Sequence, residues 1–236
     1  LLTFLVGANK TYTARIRLGA TTVTDDAEGE ITATKDASAI TRDQIEAELS
    51  KLRGENMQVP SSVSAIKVDG QRAYAKVRGG DEVKLAARPV TIYKFEITSD
   101  LTVSGGFVDF DVIIECSSGT YIRAIARDLG EALGVGGHLT ALRRTHVGLY
   151  SVEDAQAMES LNRDTLEITP LADAAVANFE RLDLSEQDVI DLRHGKRISG
   201  VIKSELAAAV NQNQLIAMLE PAGDKLKSVV VFAEEK

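Results

Sequence analysis

The sequence predicts an α+β fold with a mixed, mainly antiparallel sheet, flanking helices and a small β-rich C-terminal domain. Apolar and polar residues alternate over 11–18, 89–98 and 107–115, which is typical of strands with one buried face. The Gly105-Gly106 pair lies between the last two segments and predicts a hairpin turn. An apolar stripe at helical spacing over 121–133 predicts a helix that packs on the sheet.

The N-terminal region predicts a helix end, a strand and a second helix. Residues 1–7 resemble the last turns of a helix and lack the basic region and cleavage site of a signal peptide. The strand at 11–18 leads into a polar loop that turns at Glu28-Gly29. Thr41 and Gln44 form a capping-box pattern at the start of the second helix. The apolar residues at helical spacing after this cap are Ile45, Leu49 and Leu52.

The middle of the chain contains several short elements. A strand is predicted at 64–70, with a turn at Asp69-Gly70, and a helix at 72–78. After the helix at 121–133, a glycine-rich stretch interrupts the pattern. Residues 138–144 then predict one or two further helical turns, followed by a strand to Tyr150.

The C-terminal third changes in composition. Acidic helices are predicted near 154–161 and 171–179. We expect a boundary there that divides the chain into domains 1–179 and 180–236. In the second domain Ser185 caps a helix that ends at Gly195, and two strands follow. These strands are predicted at 215–219 and 228–232, joined by a turn at 221–224.

Composition excludes several classes of protein. The chain has 236 residues, of which 44% are hydrophobic, so a large core is possible. A single cysteine excludes a disulfide framework and is typical of the reducing cytoplasm, and one cysteine with three scattered histidines does not match a four-ligand zinc site. No apolar run approaches the roughly 20 residues that span a bilayer. The net charge of −8 does not suggest a nucleic-acid partner, although residues 151–192 hold 11 acids against 2 bases and the rest of the chain is close to neutral.

Two residues suggest a binding site. Tyr12 lies in a strand rich in basic residues, where it is either an ordinary core tyrosine or a platform on which a nucleic-acid base stacks. Arg123 lies in the first turn of a helix, where the helix dipole disfavours a cation. A partner carboxylate or phosphate would explain its position, and the alternative is a solvent-exposed arginine.

Other polar residues allow weaker predictions. Arg143 and Arg144 either contact phosphates or form a solvated pair at a helix end. We interpret Arg127 and Asp128 as surface charges. Neither a P-loop nor a Gly-x-Gly-x-x-Gly turn occurs, so we expect no nucleotide cofactor and no metal.

Four longer segments together resemble one protein family, the TruB family of bacterial tRNA pseudouridine synthases. The C-terminal region at 180–236 resembles the PUA-like RNA-binding domain that ends many of these proteins. The segment GVGGHLTALRRTHVG looks most similar to actinobacterial members. The four segments, which occur in family order, are 10–29, 52–80, 87–97 and 116–148.

The resemblance implies a pseudouridine synthase-like fold and an isomerase that acts on tRNA without a cofactor. The family converts uridine 55 of the T-loop to pseudouridine after flipping the nucleotide into a pocket. In this sequence Tyr12 matches the stacking tyrosine, which could also help to remove a proton from the base. Arg123 matches the partner of the catalytic aspartate, and Leu142 the apolar wall of the pocket. The residues expected to line or support the RNA site are Lys67, Tyr121, Arg143 and Arg144. We expect a monomer.

The sequence departs from the family at the nucleophile. The family's catalytic aspartate lies in a Gly-His-Thr-Gly-x-Leu-Asp-Pro motif, which does not occur in this chain. Asp25 and Asp26 match a loop downstream of that motif, and we assign neither as the nucleophile. We therefore expect this chain alone to be inactive. Two alternatives are a non-catalytic tRNA-binding fragment and a small-molecule enzyme on an α+β scaffold.

Overall fold

The computed structural model describes residues 1–63, 67–68, 71–72 and 85–233. They form two compact units, Leu2–Ala155 and a second from Gln156 onwards. No helix in these described ranges is long and apolar enough to cross a membrane.

The first unit is built on an antiparallel sheet. Among the described residues seven strands form this sheet, in the order β11-β10-β1-β9-β7-β4, with β8 paired to β9. In chain order the elements of the unit are α1 (Leu2–Leu5), β1 (Lys10–Leu18), β2 (Ala20–Thr22), β3 (Ile31–Thr34), α2 (Arg42–Leu52), β4 (Gly54–Gln58), β5 (Lys67–Val68), β6 (Gln71–Arg72), β7 (Arg88–Ile97), β8 (Thr102–Ser104), β9 (Phe107–Cys116), α3 (Ile122–Ala132), β10 (Gly137–Val147) and β11 (Tyr150–Ser151).

Strand β1 lies at the centre of this sheet. It pairs antiparallel with β9 on one side and with β10 on the other. Its alternating side chains place Ala14, Ile16 and Leu18 in the core, where they are at most 4% exposed. The predicted strand at 11–18 and its buried face are therefore confirmed.

Two helices pack on this core. The predicted capping box begins α2: the Thr41 hydroxyl accepts from Gln44 N, and the Gln44 side chain accepts from Thr41 N. Helix α3 confirms the prediction at 121–133 and buries one apolar side. The buried side chains of these two helices include Ile45, Leu49, Ile122, Ile125 and Leu129.

The prediction of helical turns at 138–144 is wrong. These residues lie in β10, which pairs with β1 over residues 137–147. Gly134 and Gly136 have φ of 72° and 78°, which ends the helical segment and redirects the chain towards the sheet. The side of β1 that β9 does not occupy offers backbone hydrogen bonds to these residues. Pairing with β1 therefore outweighs the local helix propensity.

Other predictions need smaller corrections. The Gly105-Gly106 turn joins β8 to β9, because the short strand β8 precedes it, while β7 pairs with β9 separately. The helix predicted near 154–161 is replaced by two 3₁₀ turns, Val152–Asp154 and Met158–Ser160. The helix predicted at 72–78 lies outside the described residues, except for Arg72 in β6.

The second unit contains a five-stranded sheet in the order β12-β14-β15-β16-β13. Strand β12 is parallel to β14, and the other pairs are antiparallel. The two predicted strands correspond to β15 and β16, and the prediction missed the other three. Ser185 caps α5 as predicted. The elements are α4 (Leu171–Asn178), β12 (Glu180–Asp183), α5 (Glu186–Arg193), β13 (Ile198–Ser199), β14 (Ala207–Asn211), β15 (Gln214–Ala222) and β16 (Lys225–Val231).

A close backbone contact fixes α3 against the start of β10. Gly130 lies in α3, and a Cβ atom at this position would overlap the backbone of Gly136 and Gly137. Gly137 faces the carbonyl of Ala126 in the same way. This contact holds the second half of α3 beside the first residue of β10.

We predict that Gly130→Ala destabilises the protein by about 1–3 kcal/mol, although alanine favours helices, because the added methyl group cannot be accommodated. Urea unfolding followed by far-ultraviolet circular dichroism measures this change. The matched control is Glu131→Ala at the exposed neighbouring position, expected to change stability by less than about 0.5 kcal/mol. An unchanged or more stable Gly130→Ala protein would contradict the close contact.

Candidate functional site

An open pocket of about 330 Å³ lies between the loop after β2, the first turn of α3 and β10. Two predicted site residues, Arg123 and Leu142, line it together. Acidic Asp26 and Glu28 face them from the loop. The remaining lining residues are Ala27, Leu139, Thr140 and Ala141.

The guanidinium group of Arg123 is held by three acceptors from two segments of the chain. Nη1 donates to the carbonyl of Thr24 at 2.9 Å and to Asp26 Oδ2 at 3.0 Å, and Nη2 donates to the carbonyl of Val63 at 2.6 Å. The Arg123 and Asp26 side chains are 24% and 22% exposed. The expectation of a partner carboxylate is therefore met, and within the described residues that carboxylate is Asp26.

Asp26 is itself fixed by its loop. Its Oδ1 atom accepts from the Thr24 hydroxyl and from Glu28 N, and its Oδ2 atom accepts from Arg123. Its carbonyl accepts from the Thr22 hydroxyl. With three donors on its carboxylate, Asp26 is well suited to orient Arg123.

Arg123 retains capacity for another ligand. A guanidinium group has five N–H donors, and the three bonds above use three of them. In the contacts of the described residues, Nε and one hydrogen of Nη2 remain without an acceptor. Two such donors can bind one further carboxylate or phosphate group.

Tyr12 lies on the same face of the sheet but does not line this pocket. It pairs with Arg144 across the strands, one step beyond the pair of Ala14 with Leu142. Burial raises the pKa of the Tyr12 phenol, and Cys116 adds to this, while charge and a hydrogen bond from Arg144 oppose it. The phenol is therefore protonated at neutral pH.

The other pocket residues predicted from the resemblance occupy different positions. Leu142 is 47% exposed, so an apolar surface faces the pocket opening. Tyr121 is the N-cap of α3, and its backbone N and O both bond to the Gln58 side chain, at 2.8 and 3.1 Å. The backbone of Lys67 lies in β5, and its side chain is outside the part of the chain that the structure describes.

Arg143 and Arg144 point to opposite faces of the sheet, because successive side chains alternate along a strand. Arg143 pairs with Thr13 and faces a groove shared with Arg15 and Asp111. Arg144 pairs with Tyr12 and lies on the face of the pocket. The helix end on which they were predicted is absent from these residues, which belong to β10.

Arg127 and Asp128 are not simple surface charges, contrary to the sequence prediction. Their side chains are 25% and 34% exposed and bond to each other at 2.7 Å. Arg127 also reaches Asp25 at 3.4 Å. The sequence did not predict that Asp25 and Asp26 are partners of Arg127 and Arg123. The only signal was that these two acids are consecutive in a Thr-rich loop.

No metal site is evident in the described ranges, since no three His, Cys, Asp or Glu side chains there lie close enough to hold an ion. The pocket offers the guanidinium group of Arg123, acidic side chains and apolar surface.

Similar solved structures share the fold. One neighbour is a Cbf5-Nop10-Gar1 complex, at 22% identity and a TM-score of 0.63, covering 98% of this chain and 68% of the other. Another is an H/ACA RNP bound to a substrate RNA containing 2'-deoxyuridine, at 20% identity and a TM-score of 0.65, covering 99% and 68%. The predicted fold class, with a PUA-like C-terminal sheet, is confirmed.

Curated relatives are more similar in sequence. The tRNA pseudouridine synthase B of Paenarthrobacter aurescens (strain TC1) is 51% identical over 244 residues, covering 99% of this chain and 78% of the relative. The protein of the same name from Arthrobacter sp. (strain FB24) is 52% identical, covering 99% and 79%.

Family models match consecutive parts of the chain. The N-terminal domain of the TruB family pseudouridylate synthases matches 1–122, and the C-terminal domain of tRNA pseudouridylate synthase B matches 123–179. A third, the C-terminal region of tRNA pseudouridine synthase II, matches 179–233. The chain belongs to the TruB family of pseudouridylate synthases.

Proposed function

We propose that this protein is a tRNA pseudouridine synthase that isomerises uridine 55 in the T-loop of tRNA. The observation that carries the proposal is the pocket in which Arg123, fixed by three acceptors, keeps two donors beside the apolar Leu142. Family membership and the names of the relatives support the same activity.

The reaction is an isomerisation that conserves every atom. The bond from the ribose C1' to N1 of uracil breaks, and a bond from C1' to C5 forms. C5 loses a proton and N1 gains one, so neither an oxidant nor a co-substrate is required. A carboxylate attacks the nucleotide and allows the base to detach, rotate and rebond.

Each predicted site residue has a role in this chemistry. The two remaining donors of Arg123 hold the attacking carboxylate in its charged form. Leu142 contacts the flipped base, and Tyr12 stacks on it. Because the Tyr12 phenol is protonated at neutral pH, its stacking role is better supported than a role as a base. Tyr121 and Lys67 support the pocket.

We assign the nucleophile to the family motif that residues 1–236 do not contain. Asp26 already accepts from Thr24, Glu28 and Arg123, and Asp25 is buried beside Arg127. Both carboxylates are therefore suited to support rather than to attack. The family findings do not favour the alternative of a non-catalytic tRNA-binding fragment.

The proposal extends to the organisation of the protein. Residues 1–179 form the catalytic domain and 180–236 a PUA-like RNA-binding domain, a division supported by two family models that meet at residue 179, although the second compact unit begins earlier, at Gln156. The protein acts as a monomer in the cytoplasm, on the T-arm stem-loop of tRNA.

The test is single-turnover pseudouridine formation by the full-length protein on a T-arm stem-loop. We predict activity at the T-loop uridine, and loss of at least about 100-fold in Tyr12→Ala, with RNA affinity within a few-fold, because a base that is not stacked is poorly oriented. A full-length protein that leaves the uridine unchanged would contradict the function. An active protein with unchanged turnover in Tyr12→Ala would remove only Tyr12 from the pocket.

We further predict that Arg144→Glu weakens tRNA binding more than Arg143→Glu, since only Arg144 shares the face of Tyr12. Loss of one phosphate contact lowers the slope of log affinity against log salt by about 0.7–0.9. Binding titrations over a series of salt concentrations measure this slope for both proteins. Equal losses, or a larger loss for Arg143→Glu, would show that the RNA does not lie on the Tyr12 face.

A further inference from the structure

Two consecutive aspartates of one loop bond to two arginines one helical turn apart on α3. Asp26 bonds to Arg123 at 3.0 Å, and Asp25 bonds to Arg127 at 3.4 Å. Because residues four apart lie on one side of a helix, both pairs fasten the same loop to the same surface of α3. Only the first pair borders the pocket.

Arg127 uses almost all its donors within the protein. Its Nε and Nη2 atoms donate to Asp128 Oδ1 at 2.9 and 2.7 Å. Nη2 also donates to the carbonyl of Val59 at 2.8 Å, and Nη1 donates to Asp25 Oδ2. Four of its five N–H groups are thereby used. Arg127 is therefore better suited to connect parts of the protein than to bind a ligand.

Asp25 needs this partner. Its φ of 60° lies in the left-handed region, a conformation that persists only where the surroundings hold it. The residue is 9% exposed, and an unpaired carboxylate at such depth is strongly destabilising. Burial raises the pKa of Asp25, while Ser61, Arg127 and Arg123 act in the opposite direction.

The backbone of Asp25 connects the loop to the wall of the pocket. Its carbonyl accepts from Leu139 N at 3.1 Å, and Leu139 lines the pocket. The segment at 59–63 is tied to the same place, because Arg127 holds the Val59 carbonyl, Ser61 donates to the Thr24 carbonyl and Arg123 holds the Val63 carbonyl. Displacement of Asp25 would therefore move Asp26 and Leu139 together.

We propose that Arg127 is a positioning residue for the isomerisation: by holding Asp25 and the Val59 carbonyl, it fixes the loop at 22–29 so that Asp26 orients Arg123. This inference rests on the proposed function, because it concerns the same pocket. Arg127 does not line the pocket and acts through the loop.

The first measurement compares Arg127→Gln, Arg127→Lys and Asp25→Asn, each made in the full-length protein, in single-turnover assays with saturating T-arm RNA. Arg127→Gln lowers the rate constant by about 10- to 100-fold, as expected for a misplaced supporting group, with RNA affinity within about threefold. Arg127→Lys keeps the charge beside Asp25 and recovers part of this loss. The matched control is Arg17→Gln, which breaks a bidentate pair with Asp109 on the other face of the sheet and leaves the rate unchanged.

The second measurement is hydrogen exchange by mass spectrometry, which needs no activity. In Arg127→Gln, exchange at 22–29 and 59–63 rises by about tenfold or more, while β9 and the second unit exchange as in the wild type. The Arg17→Gln control leaves both segments unchanged. Faster hydrogen exchange throughout Arg127→Gln would indicate that this variant unfolds. In that case the exchange of Asp25→Asn and Arg127→Lys at 22–29 and 59–63 decides the result.

The outcomes separate the two proposals. An active wild type with an unchanged rate constant in Arg127→Gln overturns the positioning role and leaves the proposed function intact. An inactive full-length wild type overturns the proposed function, and the exchange data still decide whether Arg127 holds the loop. Unchanged exchange at 22–29 overturns the inference in either case.

Discussion

The site depends on the guanidinium group of Arg123, which joins three segments that are distant in sequence. It bonds to the Thr24 carbonyl, to Asp26 and to the Val63 carbonyl, and so ties a loop, a helix and a third segment together. A cation in the first turn of a helix is disfavoured by the helix dipole, and partial burial adds a desolvation cost. Asp26 and the two carbonyls offset these costs. The two remaining N–H donors of Arg123 are suited to bind a ligand in the pocket, because their directions are fixed before any ligand arrives.

The antiparallel sheet supplies the other side of the pocket. Strand β1 carries Tyr12, and β10 carries Leu142 and Arg144 on the same face. The close approach of Gly130 to the start of β10 sets the distance between α3 and that strand. Arg123 and Leu142 therefore come from different elements but meet in one pocket, since both elements are fixed to a shared core. Arg127 and Asp25 extend this rigidity to the loop that carries Asp26.

Local signals in the sequence predicted much of the framework and less of the site. The alternation in β1, the capping box of α2 and the apolar stripe of α3 are properties of neighbouring residues, so they could be recognised directly. The strand at 138–144 could not, because its stability comes from pairing with β1, far away in sequence. The Asp26–Arg123 pair spans 97 residues, and its only local sign was the unfavourable position of a cation at a helix start. Arg127 carried no such sign and was interpreted as a surface charge. The roles of Tyr12, Arg123 and Leu142 came from family resemblance and stay predictions.

The most direct test of this account is a double-mutant cycle on Arg123 and Asp26, measured as the single-turnover rate constant of the full-length protein. If Asp26 acts by orienting Arg123, Asp26→Asn and Arg123→Gln each lower the rate constant by about 100-fold or more, and the double variant is no slower than the slower single variant. If the losses multiply in the double variant, the two residues act independently. The interaction on which the site is built would then not be the one between Asp26 and Arg123.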